Sequence, residues 1–254
     1  MQQAARNRSS TQSMPERNSF IMNENLDLPD SDSCTFRTHP LFRHLTDDEL
    51  QDISFNKITE TYKRGSIIYS EGNRIKGFYC VQSGIIKIYK TGFDGKEQII
   101  RFAQHGDLIG YRSVVSNEPA CTTTQVLEAA VLFHIPTNIL LKLVKTNGNF
   151  AVELMKLTCK ELGEANSYLT DIAQKTVKER LAEILIQLYS DFDEDTEGIL
   201  NISLTREELS NIVGTATASI IRFLSEFKND GLIELNGRKI KILDKPGLKY
   251  IANI

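Results

Sequence analysis

The 254 residues include no tryptophan, only four cysteines and only four histidines, and this scarcity restricts the chemistry the chain can host. Cys34, Cys80, Cys121 and Cys159 are widely scattered with no Cys-x-x-Cys pair. Spacing therefore indicates neither a zinc site nor a disulfide framework, and no metal site is expected. His39, His44, His105 and His134 contain no His-x-His pair, which weighs against a cupin-type metal enzyme, the alternative from a different function class. A nucleophile motif and a phosphate loop are also missing, so no enzymatic activity is expected. No apolar run approaches the length of a membrane span, and the first residues lack the apolar segment of a secretory signal. The expectation is a cytoplasmic protein with no membrane partner.

The chain also lacks a strong net charge. Its formal value is -3, which does not advertise nucleic-acid binding, but distribution matters more than the total. From Gly198 to the end, eight cations face six carboxylates, so this part is mildly basic. With 41% hydrophobic residues, the length suits two domains with sizeable cores.

Residues 204–228, LTREELSNIVGTATASIIRFLSEFK, read as two short amphipathic helices joined by a tight turn. Thr205 can cap the first, Glu207 and Glu208 fall where the helix dipole favours negative charge, and Leu209, Ile212 and Val213 recur at helical spacing. Gly214 sits where the chain must reverse. Thr215 is expected to cap the second helix, whose Ile220, Phe223, Leu224 and Phe227 form another apolar stripe. Thr217, Ala218, Ile221, Arg222 and Ser225 remain outward. A helix pair of this kind is the helix-turn-helix pattern, in which the second helix enters the major groove of double-stranded DNA. An ordinary helical hairpin in a core is the competing reading. The Asn236-Gly237 pair between Leu232–Leu235 and Ile240–Leu243 favours DNA, because it predicts a hairpin wing with Arg238 and Lys239 at its tip, in reach of phosphates.

Upstream, Thr46 and Glu49 have capping-box spacing and predict a helix over 46–53. From Lys57 to Ile135, short β segments alternate with eight glycines, a density of turns that suits a β-roll or jelly roll; Asp94-Gly95 marks one hairpin. The period becomes helical again over about 147–174, and a second helix is expected over 176–189. Asp191–Glu197, DFDEDTE, reads as a solvated acidic loop. Residues 1–33, rich in Ser, Asn, Gln, Asp and Arg, predict a loosely attached extension.

TREELSNIVGTATASIIRFLSEFKNDGLI, RGSIIYSEGNRIKGFYCVQSGIIKIYK and GKEQIIRFAQHGDLIG together resemble the cAMP receptor protein/FNR (CRP/FNR) superfamily of bacterial transcription regulators. The resemblance implies an α+β chain with four parts: an extension over 1–34, a cyclic-nucleotide-binding-like β-roll sensor over 35–146, a dimerisation helix over 147–174, and a winged helix-turn-helix over 175–254. It implies a homodimer on a palindromic operator, with the acidic loop as a contact for RNA polymerase. Arg222 is the expected reader of a guanine, through its planar fork on O6 and N7; a salt bridge to Glu226 is its competing role. Where many relatives carry a Glu four residues before this Arg, the chain has Ala218. Thr217, Ala218 and Ile221 favour thymine methyl contact, so the half-sites are expected to keep a G but differ around it. Thr205, Arg206, Thr215, Ser219, Arg238 and Lys239 are the candidate phosphate contacts.

The effector pocket implied by the resemblance comprises Gly110, Tyr111, Arg112, Cys121 and Thr122. In cAMP-binding members a Glu follows the last-loop glycine and an Arg-Ser pair holds the cyclic phosphate; the matching positions here are Tyr111, Cys121 and Thr122. The clamping charge is missing, so cAMP is not expected and the signal is an effector or redox change of another kind. The iron-sulfur branch uses an N-terminal cysteine cluster, and this chain has only Cys34 before the roll. A haem on His105 or His134, and a regulator with no ligand, remain the open alternatives.

Overall fold

The computed structural model describes residues 39–254. The expected extension over 1–34, and Cys34 with it, lies outside the described residues. Thr46 opens α1 (Asp47–Asn56) with the predicted capping box: its hydroxyl accepts from the Glu49 amide at 3.3 Å, and the Glu49 carboxylate accepts from the Thr46 amide at 2.9 Å. The helix outruns the predicted end at Ile53, because the Asn56 side chain bonds both the carbonyl and the carboxylate of Asp52 and closes one more turn.

Six antiparallel strands then build the roll: β1 (Ile58–Tyr62), β2 (Ile67–Tyr69), β3 (Gly77–Thr91), β4 (Glu97–Ala103), β5 (Leu108–Ile109) and β6 (Thr123–Pro136). The path β1-β6-β3-β4 is hydrogen-bonded in that order, with β2 on β6 and β5 on β3. The long β3–β6 ladder runs from Gly77 opposite Pro136 to Tyr89 opposite Thr123, and its register shifts between Val81 and Ile86. Such bulges bend a ladder, which lets two long strands wrap a core of Val81, Ile86, Ile88, Val126 and Leu132. The β3–β4 hairpin turns through Gly92–Lys96, where Asp94-Gly95 predicted it.

Two helices missed by sequence reading, α2 (Tyr111–Ser116) and α3 (Thr137–Thr146), close one end of the roll. The first is too short to show a period, and the second has no side-chain cap to announce it. The 27-residue α4 (Gly148–Gln174) follows, capped by Asn147. After Lys175 and Thr176 the chain re-enters a helix, α5 (Val177–Phe192), with a second capping box between Thr176 and Glu179.

The acidic stretch is largely exposed, as its composition predicts, but it is more ordered than a plain loop. Asp191 and Phe192 finish α5, and Asp193–Glu197 form a tight turn closed by a bridge between Glu194 and Leu200. The Asp195 carboxylate accepts from the Glu197 and Ile199 amides, both at 2.9 Å, and these bonds hold its pKa below the usual range. An aspartate that bonds its own following backbone builds a turn, whatever the charge density around it.

The remaining elements are α6 (Arg206–Val213), α7 (Thr217–Asn229), β7 (Ile233–Asn236), β8 (Lys239–Ile242) and α8 (Lys245–Ala252). Their buried residues share one core with α5 and with Ile85, Tyr89, Ile99 and Leu127 of the roll, so the C-terminal module packs directly on the roll's outer face.

Candidate nucleic-acid interface

Helix α6 is specified at both ends by its own sequence. The Thr205 hydroxyl accepts from the Glu208 amide at 3.0 Å, and the Glu208 carboxylate accepts from the Thr205 amide at 2.7 Å. At the other end Gly214 has φ +71°, a left-handed conformation that glycine adopts without a Cβ penalty. Leu209, Ile212 and Val213 then meet Ile220, Leu224 and Phe227 of α7 in the shared core.

The expected cap of α7 is corrected. Ala216 holds the N-cap position and makes no side-chain bond, so Thr215 is a turn residue. The reason is partly local and partly tertiary: the Thr215 amide closes the end of α6 on the Ser210 carbonyl, and its own carbonyl receives the Lys96 ammonium at 2.6 Å, so the helix starts one residue later. Thr217, the first helical residue, places its hydroxyl 3.1 Å from that of Ser210, joining the two helices.

Ala218, Ile221, Arg222 and Ser225 are exposed on one side of α7. Arg222 is 64% exposed in its side chain; its guanidinium lies 4.1 Å from the Phe223 ring centroid and 3.6 Å from a Glu226 oxygen. The anticipated Glu226 pair is therefore present, and Glu226 also pairs with Lys178 at 3.3 Å. An exposed ion pair of this length contributes little, so the guanidinium is easily recruited by a stronger acceptor.

The hairpin register pairs Asn236 with Lys239, which makes Gly237 and Arg238 the two turn residues, in place of the expected Asn236-Gly237. Gly237 has φ +59°, as a two-residue turn with glycine first requires. Arg238 and Lys239 are exposed at this tip. Arg206 is committed elsewhere: it is half-buried and donates to the Gly237 carbonyl at 2.9 Å, tying α6 to the wing. Thr205 is occupied as a cap, and Ser219 is half-buried in the first turn of α7.

On the sensor side, Tyr111, Arg112 and Cys121 line one groove of about 500 Å³ between α2 and α4, with Val115, Pro119, Leu154 and Met155. Gly110 and Thr122 are not part of its lining. The buried Tyr111 hydroxyl donates to Glu161 of α4 at 2.8 Å, and the other Glu161 oxygen pairs with Arg101 at 3.1 Å. Burial and the adjacent carboxylate push the tyrosine pKa up, so it stays a donor. Burial likewise pushes the Cys80 thiol up to about 12. His105 bonds the Gln82 carbonyl, His134 packs on the Tyr79 ring, and neither lines the groove. Among the described residues, no three His, Cys, Asp or Glu side chains converge as metal ligands.

Residues 59–147 match the cyclic nucleotide-binding domain family and residues 179–251 the Crp-like helix-turn-helix domain family. Over 207 residues the chain is 30% identical to Electron transport regulator A of Shewanella oneidensis, covering 81% of this chain and 82% of that one. It belongs to the CRP/FNR superfamily of transcription regulators. Transcriptional activator protein FnrA of Stutzerimonas stutzeri is 28% identical over 216 residues, covering 84% and 87% of the two chains. In fold, FixK2 from Bradyrhizobium japonicum superposes with a TM-score of 0.70 at 22% identity, over 77% of this chain and 96% of that one. As a CRP/FNR regulator the chain binds DNA through its helix-turn-helix and is not an enzyme. Helix α4 falls between the two matched domains.

Sequence reading missed four residues that surround this CRP/FNR reading head: Lys96, Gln98, Tyr168 and Arg180 all bond the main chain of its turn. No local signal marks them, because each is polar and far from the turn in sequence.

Proposed function

We propose that the protein is a cytoplasmic homodimer that reads a palindromic operator, placing two α7 helices in successive major grooves roughly 34 Å apart. The observation that carries this reading is the uncovered face of α7, where one guanidinium stands among Ala218, Ile221 and Ser225. Arg222 bonds a guanine, and Thr217, Ala218 and Ile221 meet thymine methyls. Of the candidate phosphate contacts Thr205, Arg206, Thr215, Ser219, Arg238 and Lys239, the last pair and the uncapped start of α7 are the accessible ones and carry the proposal, while Thr205 and Arg206 hold α6 and the wing in place. Selection from random duplexes should return twofold sites that keep a G in each half. Recovery of the half-site used by relatives that carry Glu at position 218 would remove the proposed readout.

The dimer reading is supported by α4. Val152, Met155, Cys159, Leu162, Asn166 and Leu169 recur at alternating spacings of three and four, the seam of a two-stranded coiled coil with one polar position. Met155, Leu162 and Leu169 are 58–65% exposed in the single chain, and the same face of a second copy covers them. The signal received by the roll is an effector or redox change other than cAMP. Glu161 already occupies the Tyr111 hydroxyl, and the groove beside it is mainly apolar. The turn at Asp193–Glu197 meets RNA polymerase through its carboxylates. Calorimetry with cAMP, and promoter activation after charge reversal in that turn, test these two assignments; tight cAMP binding or unchanged activation overturns them.

A further inference from the structure

Five consecutive carbonyls, from Asn211 to Thr215, end α6 and form the turn before α7. Each accepts from a side chain outside the two helices. Gln98 on β4 donates to Asn211 O at 2.5 Å and to Ile212 O at 3.3 Å. The Tyr168 hydroxyl on α4 reaches Ile212 O at 3.4 Å. Arg180 on α5 donates to Val213 O at 3.0 Å and, at longer range, to Gly214 O at 3.5 Å. Lys96, beside the β3–β4 turn, donates to Thr215 O at 2.6 Å.

The last carbonyls of a helix have no partner within it and form the negative end of its dipole, so two cations and two neutral donors suit them. Lys96, Gln98 and Tyr168 lie on the sensor side of the short link at Lys175–Thr176, whereas Arg180 follows it. A Cβ on Gly214 would come within 3.3 Å of Gln98 Oε1 and 3.5 Å of Tyr168 Oη, so strand and long helix press on the same point of the turn.

We propose that Gln98 and Tyr168 are positioning residues for DNA recognition. They clasp the turn to the sensor side and fix the angle at which each subunit presents α7, and thereby the separation of the two reading helices. The clasp leaves Ala218, Ile221, Arg222 and Ser225 exposed, so it holds the head without covering its reading face. Because it grips main-chain carbonyls, it acts on the placement of α7 and leaves its base preference alone. This inference rests on the homodimer reading above.

The test uses the full chain with Gln98→Glu, which keeps the side chain's size but turns an acceptor-only carboxylate toward carbonyls, and separately Tyr168→Phe, which removes one hydroxyl. Affinity is measured on duplexes bearing the selected half-sites at the native separation and at one base pair more or less. Each variant should bind the native separation about three- to tenfold more weakly. It should also lose most of its preference for that separation, while the ranking of bases within each half-site stays as in the wild type. A merely structural role lowers affinity at every separation alike. An unchanged spacing profile therefore overturns the proposal, and so does tighter binding at all separations, which would make the clasp a restraint on binding. A wild-type protein indifferent to spacing defeats the dimer reading and the proposal together. A spacing-sensitive wild type beside spacing-sensitive variants defeats the proposal alone.

Discussion

The eight residues of α6 are closed by their own segment, with Thr205 and Glu208 at one end and Gly214 at the other. The fifteen residues of β3 are held instead by β6, in pairings that run from Gly77 with Pro136 to Tyr89 with Thr123. The reading head thus takes its local geometry from short-range hydrogen bonds, and the roll takes its geometry from contacts that exist only after the chain has folded back. The same division appears in their polar chemistry. Ser210 and Thr217, seven residues apart, join α6 to α7. In the roll, Tyr111 meets its partner Glu161 across fifty residues and Arg101 meets it across sixty. A local device can be altered alone, whereas a distant pair takes both of its elements with it.

Substitutions that separate the two regimes sharpen this contrast. The largest effect is expected for Phe227→Ala, which empties a fully buried position in the core shared by the head and the roll's outer face. It should cost about 3–5 kcal/mol in denaturant unfolding. Because that core is shared, both regions should unfold in one transition; an early separate transition of the head would break the picture of a joint core. Next comes Arg222→Ala, expected to lose about 1–3 kcal/mol of operator binding at a single base position while stability is unchanged. Equal weakening on all sequences would show a phosphate contact only.

On the roll side, Tyr111→Phe removes the donor to the Glu161 carboxylate and should cost about 1.5 kcal/mol of stability by thermal melting. No effect would mean that Arg101 alone satisfies Glu161. In the head, Thr205→Ala removes one side of a capping box and should cost about 1 kcal/mol. Thr215→Ala, at a position that caps nothing, should stay within about 0.5 kcal/mol. Equal losses at the two threonines would restore Thr215 as a cap. The smallest change is in salt dependence: Lys239→Ala at the wing tip should reduce the slope of log affinity against log salt by about 1.

The capping box at Thr46, the cap at Thr205, the start of α5 at Thr176, the hairpin at Asp94-Gly95 and the apolar stripes of α6 and α7 were all readable from neighbouring residues. So was most of the outward set on α7, since a helical period assigns faces without knowledge of the partner; of that set only Thr217 is half-buried, against Ser210. Elements that depend on the roll's closure were not readable. Helix α2 has six residues, α3 has no polar cap, and the Asn236-Gly237 pair marked the wing while misplacing its turn by one residue. Tyr111, Arg112 and Cys121 line one groove, and Gly110 and Thr122 lie outside its lining.

The sequence by itself determined which segments become helices of the reading head, where α6 begins and ends, and most of the side chains α7 turns outward, because caps, glycine turns and helical period act within a few residues. Only the tertiary structure decided which donor the Thr215 carbonyl accepts from, what occupies the Tyr111 hydroxyl, and what holds the turn between α6 and α7. A helix's final carbonyls accept whichever donor folding brings near, and here one of the donors, Gln98, precedes its acceptor by 113 residues.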